Sequence, residues 1–483
     1  MTPQALFVRV IITSYLRRYQ PMLIAFIPLY MVVTLAIGFW ASRRIKTSSD
    51  FTLAGKSLSA SFVGVTLFAT WFGSSSIMGN PGRFVENGLS SFVTLYLAPV
   101  ICLLIVGLFY AKRLYSFNIV TIGDFFAIRF NKKLDLFISI LMIFSYPHWI
   151  AAQFVALAFL FQSVLGISIE HGIILGGFIV VLYTYVGGMW AVSYTDMLQS
   201  ILILMGLVLL LVNILEQTGG IVPMFENKPS SFFSIFPKNG LENWSVYLAV
   251  LLAHTMGAIP VQEIYQRVFS ARSQKSAVNG LYIAGGLLLV INCIPLLIAL
   301  GAAHLHPELM AADQGQNIIP VMVSQYASLP LQILFYGALI SAILSTSSGA
   351  MLAPATVIGE NLIKPFLPNL PDKKLLLFTR ISVILVAVIS CYFAYDDSDI
   401  VGLVVASLSL ILVCVFAPFT FGLFWKKASV FGAWSSIMVG GLTWGVCLLL
   451  DTQIDPTLYG TPASCLAMVA GSLMRPDKEP TTE

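Results

Sequence analysis

One apolar run of about 20 residues follows another along this chain, with short polar stretches between them, and nothing else narrows the possible folds so far. A run of ~20 apolar residues can cross a ~30 Å hydrocarbon core as a helix. Inside lipid each backbone N–H and C=O must find its partner within the protein, which leaves helices and closed barrels. Long runs without strict alternation of polar and apolar residues make helices. Composition agrees, because 58% hydrophobic and 10% charged residues among 483 leave too little charge to solvate a soluble protein's surface. The expected class is an all-α polytopic protein of the lipid bilayer. Its net charge of +4 gives no reason to expect a nucleic-acid partner. The six cysteines, at 102, 293, 391, 414, 447 and 465, show neither metal spacing nor a paired framework and read as small packing residues.

Thirteen spans are expected, near 21–42, 59–86, 88–111, 136–162, 172–187, 190–215, 243–263, 276–302, 329–358, 376–396, 398–424, 428–450 and 457–474. Residues 1–20, with Arg9, Arg17 and Arg18, form a short interfacial lead, and the run after it is too long for a signal-peptide core. If the first span ends in the cytoplasm, 20 of the 26 lysines and arginines fall on the inner side, among them Arg43, Arg44, Lys112, Arg267, Lys373 and Lys478. Only Arg9, Arg17, Arg18, Arg83, Lys228 and Lys238 stay outside. That bias orients the N-terminus outward and the C-terminus toward the cytoplasm.

Two of the spans are poor continuous helices. Thr66–Gly82 reads TLFATWFGSSSIMGNPG, with Gly73, a serine triplet at 74–76, Gly79, Pro81 and Gly82. Glycine and proline are the weakest helix formers, and serine hydroxyls compete for backbone groups. The alternatives are a proline-kinked helix and an unwound segment, the latter surviving at membrane depth only where protein or a cavity satisfies its backbone. The second such span, 243–263, is interrupted at Gly257 and Pro260, with His254 before and Gln262 after. It opens the sixth helix counted from the first interrupted one, and the two enter the membrane from opposite sides, as an inverted five-plus-five repeat requires. A third feature lies in 329–358, where Ala342, Ser345 and Thr346 share one helix face at i, i+3 and i+4. Such hydroxyls suit a small monovalent cation, although serine and threonine in membrane helices also simply pack.

Six strings carry a family resemblance: FTLAGKSLS (51–59), ATWFGSSSIMGNPG (69–82), IGDFFAIRFNK (122–132), GGMWAVSYTDMLQ (187–199), QEIYQRVFSARSQKSA (262–277) and SAILSTSSGAMLA (341–353). Together they resemble the sodium/solute symporter family, which takes in sodium-coupled transporters of proline, pantothenate, sialic acid, choline and sugars. The resemblance implies a LeuT-type inverted repeat with one helix before the core and two after it. The chain then divides into a lead and first helix (1–58), a first repeat (59–215), a second, inverted repeat (243–424) and two last helices with a short cytoplasmic tail (428–483).

The same resemblance implies a sodium site made by the carbonyls of Ala69, Phe72 and Ala342 with the hydroxyls of Ser345 and Thr346. Asp196 matches an acidic residue on the sodium exit path; from the residues alone it could equally be a solvated aspartate at a helix start. With Ser345 and Ser348 it would form a second sodium site, but Gly349 stands where a further hydroxyl belongs, so one Na+ per solute is expected. The solute is expected near Trp71, Ser74, Ser75, Ser76, Gln153, Gly257, Ala258 and Gln262. Trp71 stands where the proline transporters carry an aspartate; it could be a stacking wall, a cation–π partner or packing. Gln153 could reach the solute or make a helix–helix hydrogen bond. The expected activity is sodium-coupled import of a small organic solute, such as an amino acid or other small nitrogen compound, by alternating access. A proton-coupled variant using Asp196 and a solute sensor with a separate signalling partner are the alternatives. No nucleophile or metal cluster converges inside the spans, so no enzyme is expected. The expected location is a bacterial-type inner membrane; the sequence leaves the oligomeric state open.

Overall fold

The computed structural model describes residues 3–43, 45–226, 228–311 and 315–477. Arg44 and Lys478, used above for orientation, lie outside the described residues, as do the side chains of Arg9, Arg17 and Arg18. All thirteen expected segments are helical. Ten described helices are long and apolar enough to cross a bilayer, or eleven when the bent pair Ala60–Trp71 and Ser75–Asn87 counts as one span. The other two are the shorter apolar helix Ile169–Tyr185 and the helix Thr457–Met474, so length and hydropathy alone do not establish a count of thirteen. The expected lead is not a separate element, since Pro3–Ser42 is one 40-residue helix.

Helix starts follow local chemistry. Thr47 with Asp50 and Thr121 with Asp124 form reciprocal capping boxes, and Asn131 caps Leu134 N at the head of Lys132–Leu165. The expected boundary between spans 172–187 and 190–215 falls at Gly188, whose backbone (φ 52°, ψ −167°) kinks the long helix Ile169–Thr218. A Cβ at Gly188 would lie 2.5 Å from Phe51 Cδ2, so both conformation and close packing call for glycine.

Burial separates core from periphery. In Lys132–Leu165 and Leu329–Phe366, 72% and 78% of the most apolar window is buried, against 22% in Ile24–Ser42 and 28% in Val430–Leu449. The first pair therefore packs inside the bundle, and the second lies at its periphery with most of its surface uncovered. The segments before the first broken helix and after the second are stitched together, with Leu58 N donating to Ser270 O (3.0 Å) and Arg272 N to Leu58 O (2.9 Å).

Candidate functional site

The helix Ala60–Trp71 stops where expected. Phe72 leaves helical geometry (φ −97°, ψ 73°), and the chain resumes at Ser75–Gly79 and Asn80–Asn87 after a 61° bend. Both loose ends are held by side chains from neighbouring helices. Thr346 Oγ1 donates to Ala69 O at 3.2 Å, and Ser74 N donates to Gln153 Oε1 at 3.0 Å. Gly73 sits between them with no room to spare: a Cβ there would lie 2.5 Å from Thr346 Oγ1 and 2.8 Å from Gln153 Oε1. Gly73→Ala should therefore push Thr346 off Ala69 and loosen the break, read as a lower thermal midpoint in detergent.

Asp196 lies beside this break. It is fully buried inside Ile169–Thr218, which rules out a solvated helix-start aspartate. Ser345 Oγ donates to its Oδ1 at 2.5 Å, and Thr66 Oγ1 donates to its Oδ2. One carboxylate thus ties the first broken helix to Leu329–Val357. With the protons of Ser345 and Thr346 directed at Asp196 and Ala69, the hydroxyl lone pairs remain free to meet a cation. Ala342 is buried one turn earlier on the same helix. Ser348 instead donates to Ser345 O within its own helix (3.0 Å).

Two further ionisable groups belong to the same buried cluster. Glu263 and Arg267 are fully buried. Tyr146 donates its hydroxyl to Glu263 Oε2, and the Trp71 indole N–H lies beside the same carboxylate. Arg267 donates to Glu263 O (3.0 Å) and Thr70 Oγ1 (2.5 Å), and its charge acts on both Asp196 and Glu263. Arg267 is not the cytoplasmic loop charge that the sequence suggests, because the second broken helix resumes at Gln262–Ser270 and carries Arg267 into the core. The signal was an acid and a base at i, i+4 within an apolar span, which marks function by default.

A cavity opens above the cluster. Of the expected solute residues, Trp71, Ser75, Ser76 and Ala258 line it, joined by Asn80, Trp149, His254 and Asn292. Apolar walls come from Leu95 and Pro99, Leu288, and Val404 and Leu408. Ser74 and Gln153 bond to each other at the break. Gly257 allows the second broken helix to approach Leu408 O, where a Cβ would lie 2.7 Å away. Gln262 is engaged elsewhere, its amide bonding Ile122 N (2.8 Å) and Val120 O (3.2 Å). The second interruption is a π turn at Ala253–Gly257 followed by irregular backbone through Val261.

A multi-pass helical bundle with a broken helix beside a cavity of mixed polar and apolar lining is the arrangement of LeuT-type secondary transporters. The fold overlays on a Na+-coupled sialic acid symporter in a substrate-bound, outward-open state with a TM-score of 0.81, covering 95% of this chain and 99% of that one at 19% identity. The chain belongs to the sodium:solute symporter family, whose model matches residues 51–440. It is 27% identical to the sodium/proline symporter of Escherichia coli (strain K12), over 88% of this chain and 87% of that protein. It is 25% identical to the high-affinity choline transporter 1 of Caenorhabditis elegans, over 85% of this chain and 75% of that protein. The chain is a multi-pass membrane transporter rather than an enzyme, and its family supports sodium-coupled symport of a small solute.

Proposed function

We propose that the chain imports a small nitrogen compound together with one sodium ion, with the N-terminus outside and the C-terminus in the cytoplasm. The two inverted repeats are 59–215 and 243–424. Sodium, as co-substrate, sits among the carbonyls of Ala69, Phe72 and Ala342 and the hydroxyls of Ser345 and Thr346. The carrying observation is the tie across the break, Thr346 to Ala69 and Ser345 through Asp196 to Thr66. Two helices that must separate when the bundle opens inward are held together by groups a cation would also hold. Sodium then favours the state in which they touch, and that difference in affinity is what coupling requires.

The driving force suffices. About 100 mV supplies ~2.3 kcal/mol per charge, and a tenfold sodium gradient adds about 1.4 kcal/mol. Together these sustain a solute gradient of several hundredfold. Ser345→Ala should raise the sodium concentration for half-maximal uptake about tenfold, the low end for losing one hydrogen bond to a charged group; Thr346→Ala should raise it less. Uptake in proteoliposomes with sodium against potassium tests the reading. Equal uptake in both salts refutes sodium coupling, solute binding without uptake would indicate a sensor, and unchanged sodium dependence in both variants removes the site.

A further inference from the structure

The charge of the solute can be read from what surrounds its cavity. The amide end of a broken membrane helix is a natural seat for a solute carboxylate, because its N–H groups lack partners and its dipole favours negative charge. Here Gln153, fully buried, presents a carboxamide oxygen to Ser74 N and holds its own amide toward Trp149 O (3.5 Å). A side-chain oxygen therefore already occupies the seat that a carboxylate oxygen would take.

The cavity itself has no formal positive charge. None of its lining residues is Lys or Arg, and none is Asp or Glu. Negative charge lies behind the aromatic wall instead. Glu263 sits beside the Trp71 indole and accepts from Tyr146, whose ring stacks on Trp149 at 6.4 Å and 13°. Glu263 thus backs Trp71 directly and Trp149 only through the intervening Tyr146 ring, and as a carboxylate it adds to the negative potential of the Trp71 face. The cluster's cation is directed away from the cavity, since Arg267 reaches Thr70 and the space beside Gly349, where a Cβ would lie 2.6 Å from Nη2. Polar groups complete the lining: Ser75, Ser76 and Asn80 can donate or accept, and two further groups present acceptors. His254 Nδ1 faces Val250 O at 3.0 Å and must donate to it, which leaves Nε2 of the neutral ring as an acceptor, and Asn292 Oδ1 is buried without a partner.

We propose that the solute is a small monocation without a carboxylate. Its cationic nitrogen rests on the faces of Trp71 and Trp149, and a hydroxyl or N–H points toward His254 and Asn292. This rests on the symport reading and narrows its nitrogen compound, with Gln153 turning amino acids away. Choline and glycine betaine make a matched pair of probes: they share a trimethylammonium group and differ in a hydroxymethyl against a carboxylate. In proteoliposomes under an inward sodium gradient, the full chain should take up labelled choline, with glycine betaine and L-proline at least roughly tenfold weaker, ~1.4 kcal/mol. Sodium-driven uptake of glycine betaine or proline that equals or exceeds that of choline overturns the cation assignment and leaves symport standing. If sodium drives none of the three, the cation assignment falls; if sodium also leaves thermal stability the same as potassium does, the symport reading falls with it.

Variants isolate the residues. Gln153→Ala frees Ser74 N–H and should narrow the preference for choline over glycine betaine, whereas Gln153→Glu keeps the acceptor, adds charge and should widen it. A ratio unchanged in both would overturn the role given to Gln153. Trp71→Phe keeps a π face and should retain choline uptake, while Trp71→Leu should weaken it roughly tenfold; equal uptake by the two would remove Trp71 from the cation seat.

Discussion

Arg267→Met should produce a severe stability loss, seen as a lower thermal midpoint in detergent and a lower yield of monodisperse protein. Arg267 heads the largest fully buried side chains and lies within an apolar span. Its guanidinium donates to Glu263 O and Thr70 Oγ1 and sits in the field of two carboxylates, Asp196 and Glu263, both fully buried. Methionine fills much of the volume but leaves those carboxylates without their cation. Removing one member of a buried charge group costs on the order of 3–5 kcal/mol, mostly through the charge left behind. The same logic predicts rescue: Glu263→Gln on the Arg267→Met background removes one of the two stranded charges and should recover part of the loss, giving clear non-additivity. A single variant as stable as the parent would show that Arg267 does not balance these acids.

The sequence made the break legible because its cause is local. Gly73 and three serines weaken the helix whatever surrounds them, and Phe72 leaves helical geometry at that point. Gly188 is likewise a local event. The charged cluster was harder, since its partners are distant in sequence: Glu263 closes the expected span 243–263 and Arg267 falls just beyond it, and only the resumption of the helix through Ser270 puts both in the core. The cavity was harder still. Leu95 and Pro99, Leu288 and Asn292, and Val404 and Leu408 each form an i, i+4 stripe. In a membrane, however, the lipid-facing side of a helix is as apolar as the packed side, so periodicity does not reveal which stripe faces inward. Gln262 shows the converse error. Its place next to a break suggested the solute, yet the turn at Val120–Ile122 supplies a donor and an acceptor that match its amide.

Asp196→Asn should raise the sodium concentration for half-maximal uptake roughly a hundredfold, ~2.7 kcal/mol, while the protein stays folded in potassium. As a carboxylate, Asp196 only accepts, and it accepts hydrogen bonds from Ser345 on one side and Thr66 on the other. An asparagine offers one acceptor and one donor. One hydroxyl must then reverse, and if Ser345 reverses, its proton occupies the direction its lone pair would use for the ion. Hydrogen bonds to charged groups contribute about 1.5–3 kcal/mol each, and the substitution also removes a formal negative charge from the cation's surroundings. Thr66→Val separates these effects. It keeps the carboxylate and its bond to Ser345, nearly preserves shape and deletes a single donor, so its shift in sodium dependence should be several-fold rather than a hundredfold. Sodium titrations of uptake at saturating solute read both variants on one scale. Should Asp196→Asn titrate like the parent, the carboxylate acts only as a helix clamp and coupling must be carried by the carbonyls of the break.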